Sequence, residues 1–241
     1  MTDTKKTLLV IGASSDMGME LIRYCSEDYD EIYGLYRNMS EDLQNLKMVM
    51  EKKLSLFQCD FSSYEATEQL INDLVEKNCI PNHIVHFSAP RCKNQHFHKI
   101  KWETFEQEIN ISLRSVDLIL ARFLPYMKKE KYGRIVIMLS NVVNNNPPSS
   151  IANYVTIKYA LLGLIKSLAV EYGKHGISIN GISPAWVETK FLSEQPRILL
   201  DSFVEESQIG RYLKPMDVVP TIKYLLSDEA SCINGQNLTI A

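Results

Sequence analysis

The 241-residue sequence predicts an α/β fold: a doubly wound parallel β-sheet with helices on both faces, in a single domain spanning residues 1–241. Three observations predict it. Short β-rich runs alternate with longer helix-patterned segments, the apolar content of the runs is nearly continuous, and no linker-like stretch divides the chain. Strands that are apolar throughout are those covered on both faces, which is the condition of a parallel sheet. Repeated βα alternation then requires right-handed crossovers with helices above and below the sheet.

Strands are expected at Thr7–Gly12, Glu31–Tyr36, Leu54–Cys59, His83–Ser88, Arg134–Ser140 and Ile177–Ile182, with a last one at Leu238–Ile240. The first follows Lys5-Lys6, which faintly resembles the start of a signal peptide. Its apolar run is too short for one and leads straight into Gly12-Ala13-Ser14-Ser15, so it reads as a buried strand, with a helix following at Met19. Trp102–Lys131 carries apolar residues at 105, 109, 113, 116, 120, 123 and 124, the stripe of one long helix. Ala152–His175 is a second long helix, in which Leu161, Leu164, Ile165 and Leu168 form an apolar stripe. Asn144-Asn145-Asn146-Pro147-Pro148 is a loop by composition.

Hydrophobic residues make up 45% of the chain and charged residues 23%, which excludes a disordered tail, a collagen and a small disulfide scaffold. With 26 Lys and Arg against 29 Asp and Glu, the net charge of −3 does not advertise nucleic-acid binding. The five cysteines form no CxxC pair, so neither a disulfide framework nor a metal site is expected and a reducing compartment fits. No run reaches the ~18 apolar residues of a membrane helix. A cytoplasmic location, with no membrane or nucleic-acid partner, is the expectation.

The turn Gly12-Ala13-Ser14-Ser15-Asp16-Met17-Gly18 joins the first strand to the first helix. Small residues let a ligand phosphate approach the helix N-terminus, where free N–H groups and the helix dipole favour an anion. A ligand-free strand-to-helix turn is the alternative. Asp16 would repel a pyrophosphate unless it points away or caps the helix at Met19 or its neighbour. The second strand ends Tyr36-Arg37-Asn38, where an NAD-selecting fold places an acid. Arg37 there suits a 2′-phosphate, or is a solvated arginine. Asp60, after the third strand, suits an adenine amino group or a helix cap.

Tyr154 and Lys158 stand at i and i+4 on one helix face. A lysine ammonium beside a phenol favours the phenolate and lowers its pKa from ~10, which suits proton transfer at a carbonyl or hydroxyl oxygen. An amphipathic surface helix is the plain alternative. Ser140 at the end of the fifth strand lies where ligands bind in such sheets, and Asn110 is a polar amide between Ile109 and Ile111.

Together these residues resemble the short-chain dehydrogenase/reductase family, in its compact Rossmann-type branch, over Thr7–Ile240. The glycine turn is similar to the family's TGxxxGxG, with Ile11 for the threonine and Asp16 for the middle glycine. Asn110, Ser140, Tyr154 and Lys158 match its Asn-Ser-Tyr-Lys tetrad. Cys59-Asp60-Phe61 resembles its adenine-contacting segment. Asn180 to Thr189 resembles its N-x-I-x-PG-x-x-x-T segment, with Ala185 for the glycine and Pro184 before it. His86-Phe87-Ser88-Ala89 stands in place of its NNAG, and His86 reads as a core-edge histidine, with a catalytic extra as the alternative.

The resemblance implies a division of labour. Ser140 holds the substrate oxygen. Tyr154 is the acid in reduction and the base in oxidation. Lys158 binds the nicotinamide ribose and lowers the tyrosine pKa, and Asn110 holds a relay water. It implies a dinucleotide held by Gly12, Ser14, Ser15, Asp16, Met17, Gly18, Arg37, Asp60, Phe61, Ser88, Tyr154, Lys158, Pro184, Val187 and Thr189, and Arg37 favours NADP(H) over NAD(H). It implies a homotetramer joined through the two long helices. Residues 89–101, 141–150 and 191–210 are expected to shape the substrate pocket. The function expected is NADPH-dependent reduction of a small or carrier-bound carbonyl, most similar to that of 3-oxoacyl-acyl-carrier-protein reductases, with Lys128-Lys129-Glu130-Lys131 facing an acidic carrier or plain solvent. An alcohol, sugar or secondary-metabolite dehydrogenase and a non-catalytic cofactor-binding homologue are the alternatives.

Overall fold

Alternating apolar runs and helical stripes assemble as one parallel sheet with the strand order β3-β2-β1-β4-β5-β6-β7. The computed structural model describes residues 5–190, 204, 207 and 209–241. The strands are β1 (Thr7–Ile11), β2 (Glu31–Tyr36), β3 (Leu54–Gln58), β4 (His83–His86), β5 (Gly133–Met138), β6 (Ile177–Pro184) and β7 (Asn237–Ile240). The helices are α1 (Asp16–Cys25), α2 (Glu41–Met50), α3 (Tyr64–Glu76), α4 (Trp102–Ile109), α5 (Ser115–Glu130), α6 (Ala152–Tyr172) and α7 (Pro215–Leu225). β1 pairs with both β2 and β4, so the winding reverses between β1 and β4. The crevice at the carboxyl ends of these two strands is where ligands bind in such sheets.

Both faces of the sheet are covered. Leu8, Val10, Val85, Val136 and Ile182 pack against α1, α2 and α7, while Leu9, Ile11, Ile84, Ile135 and Ile137 pack against α3, α5 and α6. Every residue of β1 and β6 is buried, as a sheet covered on both faces requires; β1 is apolar from Leu8 to Ile11, whereas β6 also buries Ser178, Asn180 and Ser183. Ser15, Ser40 and Ser63 start the first three helices: each side-chain oxygen accepts an N–H three residues on, satisfying one of the donors a helix N-terminus leaves free.

Several boundaries differ from those expected. β4 stops at His86 and β5 at Met138, because the chain leaves the sheet at the crevice, whereas β6 runs on to Pro184. The first helix begins at Asp16 rather than Met19, with Ser15 as its cap. The stretch expected as one helix over Trp102–Lys131 is interrupted by a π turn at Asn110–Arg114. There the Ser115 N–H reaches back to the Asn110 carbonyl, and the Ser115 hydroxyl bonds the Ile111 carbonyl at 2.6 Å. A hydroxyl competing for a backbone carbonyl widens the turn. The stripe on α6 belongs to the core: Leu161 and Ile165 are fully buried, and Leu164 and Leu168 pack on the same cluster.

Two histidines of the central strand β4 are buried. His83 lies between the hydroxyls of Tyr29 and Tyr132, at 2.6 and 2.9 Å. Burial, reinforced by Lys6 and Arg134, pushes its pKa down to about 3. Burial also pushes His86 down to about 3, with the charge of Lys158 adding to it. The unfolded chain takes up a proton on each near pH 6.5 and the folded chain does not, so their contribution is complete above that pH and is lost on acidification. Melting temperature should therefore fall from pH 6.5 to 5, at roughly 1.4 kcal/mol per pH unit for each histidine. His83→Gln should flatten the slope. A wild-type melting temperature that is level across this range, measured by calorimetry, would mean that the histidines protonate within the fold.

Candidate active site

The glycine-bearing turn follows β1 directly. Gly12 has φ +93°, and a Cβ on Gly18 would sit 2.4 Å from the Gly12 carbonyl oxygen, so neither position accepts a side chain without movement. The Ser15 hydroxyl donates to the Gly12 carbonyl at 2.7 Å and accepts from the Gly18 N–H at 3.0 Å. A Cβ on Gly12 would lie 3.2 Å from the Ser88 nitrogen, so the turn abuts the chain leaving β4. This close-walled cradle at a helix N-terminus fits a dinucleotide pyrophosphate.

Asp16 does not cap α1. Its carboxylate turns aside and accepts the backbone N–H of Lys190 at 2.7 Å, with the Lys190 ammonium 4.0 Å away. The charge that would oppose a phosphate is thereby engaged elsewhere. Met17 and Phe61 are buried in the two apolar clusters, so their side chains belong to the core. Ser14 is half-buried beside the cradle. Arg37 is exposed at the end of β2. Asp60 closes an Asx turn onto the Ser62 N–H and hydroxyl at 3.0 and 2.8 Å, which hold its carboxyl below the usual range, with Arg37 adding to the effect. The helix cap there is Ser63, not Asp60.

On the other side of the crevice, Pro184 ends β6, Val187 bridges to Leu213, and the Thr189 hydroxyl donates to the Val187 carbonyl at 3.2 Å. Of the expected pocket wall over 191–210, residues 191–203, 205, 206 and 208 lie outside the described residues.

Ser140, Tyr154 and Lys158 meet beyond the end of β5. Ser140 lies two residues past the strand and starts a short helical turn rather than ending β5. Burial pushes the Tyr154 phenol up to about 12; a hydrogen bond from Ser140 acts against this and nearby Cys92 adds to it. The expected lowering by Lys158 is not what the structure has. The ammonium lies 5.5 Å from the Tyr154 ring centroid and donates instead to the Met138 carbonyl at 2.8 Å. Burial brings Lys158 itself down to about 8. The i, i+4 spacing placed the two groups on one face, but burial dominates the phenol and the Ser140 hydrogen bond, not Lys158, is what opposes it.

Tyr154 and Lys158 line a cleft with Ala89, Pro90, Arg91, Cys92, Lys93, Glu108, Ser112, Asn153 and Ile157. Asn110 is not in this lining. It opens the π turn between two residues that are, Glu108 and Ser112. The buried Glu108 carboxylate accepts the Asn153 amide, tying α4 to α6 beside Tyr154, and burial raises its pKa. Arg114, from the same π turn, donates to the carbonyls of Phe61 and Ser62 at 3.2 and 2.9 Å. Neither Glu108 nor Arg114 was found from the sequence. A glutamate next to the apolar stripe is a weak signal, and its partner is 45 positions away. Among the described residues no group of three or more His, Cys, Asp or Glu could hold a metal ion, and no helix is long and apolar enough to cross a membrane.

Comparison with known proteins agrees with this architecture. The family model described as Enoyl-(Acyl carrier protein) reductase matches residues 12–241. The 3-oxoacyl-acyl-carrier-protein reductase of Rickettsia felis is 26% identical over 238 residues, covering 98% of this chain and 95% of that protein. Its counterpart in Staphylococcus epidermidis is 24% identical over 241 residues, covering 98% and 97%. Among solved structures, levodione reductase superposes with a TM-score of 0.87 at 23% identity, over 98% of this chain and 95% of that one. The NADP-bound ElxO does so with a TM-score of 0.86 at 24% identity, over 98% and 97%.

The Asp16–Lys190 contact ties the two walls of the crevice together. Asp16→Ala removes the acceptor of the Lys190 N–H, and hydrogen bonds to charged groups are worth roughly 1.5–3 kcal/mol. Tryptic cleavage after Lys190 should then quicken several-fold, measured by mass spectrometry under native conditions. An unchanged cleavage rate would mean that the contact does not restrain Lys190.

Proposed function

Because the chain belongs to the short-chain dehydrogenase/reductase family and is an NAD(P)-dependent oxidoreductase, we propose that it reduces a carbonyl to an alcohol with NADPH, Tyr154 giving the proton to the carbonyl oxygen. The observation that carries this reading is the junction of Ser140, Tyr154 and Lys158 at the carboxyl edge of the sheet, beside a glycine cradle. A bound dinucleotide supplies the hydride. The cradle Gly12–Gly18, Ser88, Pro184, Val187 and Thr189 would hold it, and Asp60 would receive the adenine.

With its pKa near 12, Tyr154 carries its proton throughout the neutral range, the state that a general acid requires. Ser140 would fix the substrate oxygen while its hydroxyl steadies the phenolate left behind. Lys158, near 8, is the more acidic of the pair, so proton return from its ammonium to the phenolate runs downhill. Asn110 would reach this junction through the π turn that it opens. The substrate is a small or carrier-bound carbonyl, possession of the exposed Lys128-Lys129-Glu130-Lys131 end of α5 suiting an acidic carrier. A homotetramer is supported by the outward face of α6, where Tyr159 and Val170 are exposed and Gly163 has open space at its Cβ position. All of residues 1–241 would serve as one catalytic domain, in the cytoplasm.

Three outcomes test this reading. Tyr154→Phe keeps the ring and removes the proton, so turnover of a carbonyl found by screening thioesters, sugars and steroids should fall by about 10²–10⁴. NADPH binding, followed by fluorescence, should change little, whereas Lys158→Ala should lose both. A Tyr154→Phe enzyme that keeps most of its turnover would overturn the assignment.

Arg37→Asp should raise the Michaelis constant for NADPH roughly 10- to 100-fold relative to NADH, the worth of a charge-assisted hydrogen bond. A wild type that prefers NADH would refute the role of Arg37. Light scattering at low micromolar protein should report about four chains, and a clean monomer would exclude the tetramer.

A further inference from the structure

Lys158 is buried, and its ammonium has three donors, of which one goes to the Met138 carbonyl at 2.8 Å. Two strands of the same sheet face supply a complementary group. His86 is in register with Ile11 on β1 and Ile137 on β5, and both isoleucines face the α5–α6 side of the sheet. Residues in register across parallel strands share a face, so the imidazole lies on the side from which α6 sends Lys158 to Met138, the residue after Ile137. His86 is 1% exposed, and neither of its ring nitrogens has a hydrogen-bond partner among the described residues. Buried polar atoms of this kind cost stability unless satisfied by protein or by ordered water.

Chemistry decides the direction of the bond. Burial holds His86 neutral, with its pKa near 3, so the ring offers one acceptor nitrogen and one N–H. It is not a candidate acid at neutral pH. The charged and titratable groups that line the cleft with Lys158 are Tyr154, Cys92, Glu108, Arg91 and Lys93. Tyr154, on its own helix, lies near 12, and Cys92, on the segment after β4, lies near 11. Glu108, on α4, lines the same cleft but is engaged by Asn153. The buried ammonium has donors to place, and the buried imidazole has an acceptor without a partner.

Resting on the reading of Lys158 as the residue that serves Tyr154, we infer that His86 is a positioning residue for Lys158, accepting a hydrogen bond from its ammonium through one buried water. A water bridging a buried ammonium with donors to spare and an unpartnered buried acceptor is an ordinary structural element, and no direct bond joins the Lys158 and His86 nitrogens. His86 thereby keeps the lysine protonated and steady beneath Tyr154.

The full-length chain with ¹³Cε-labelled lysine tests this without substrate or cofactor, the Lys158 signal being assigned by its loss in Lys158→Met. His86→Leu should lower the titration midpoint of Lys158 by about one pH unit, because the ammonium loses an acceptor. His86→Asn, which restores a polar acceptor, should keep the midpoint within a few tenths. An unchanged midpoint in a folded His86→Leu overturns the proposal. Should that variant not fold, the two-bond ¹H–¹⁵N spectrum of the wild-type His86 ring decides. An acceptor nitrogen at a hydrogen-bonded frequency supports the bridge, and one at the free frequency overturns it. Since neither readout uses turnover, a chain that reduces no carbonyl yet shifts Lys158 refutes the functional reading and leaves this inference standing.

Discussion

The Lys158 ammonium held against the Met138 carbonyl is the interaction on which the site depends. A cation in the interior is tolerated only with acceptors around it, and here the acceptor comes from the last residue of a central strand. The bond ties α6 to the end of β5 beside Tyr154 one turn earlier, while Leu161 and Ile165 seat the helix on the sheet. It also sets the acid–base order of the pair. Burial lowers Lys158 to about 8 and raises Tyr154 to about 12, so one physical cause moves the two groups in opposite directions.

The π turn at Asn110–Arg114 connects distant parts of the crevice. Glu108 just before it is bonded to Asn153 of α6, and Arg114 at its end holds the carbonyls of Phe61 and Ser62 after β3. A regular helix would rotate these two side chains relative to each other and could not serve both contacts. On the far wall, Asp16 bridges to Lys190. The substitution that departs most from the family's glycine turn is therefore a contact between walls, and its carboxylate is directed away from the cradle.

How far the site could be read in advance varies with the distance over which its parts interact. Tyr154 and Lys158 share a helix, so their pairing follows from a four-residue spacing. The cradle Gly12–Gly18 is likewise local, because a tight turn between a strand and a helix leaves its mark in small residues. The partners of Asp16, Glu108 and Arg114 lie on other elements, and no spacing records them. The tyrosine pKa went the other way from the expectation for a related reason: the neighbouring lysine is visible in sequence, but the packing that buries the phenol is not.

By itself the sequence determined the order of strands and helices, their burial on two faces and the glycine cradle, since each depends on residues within a few positions of one another, while the cap fell to Ser15 rather than Asp16. It could not determine whether the apolar stripe on α6 is core or interface, and the fold assigned Leu161 and Ile165 to the interior. Only the tertiary structure decided where the long helix would break, which wall Asp16 would face, and that His86 and Lys158 would be buried on the same face of the sheet. Those outcomes rest on contacts between residues far apart in the chain, where strand register and helix packing, rather than local propensity, choose the neighbours.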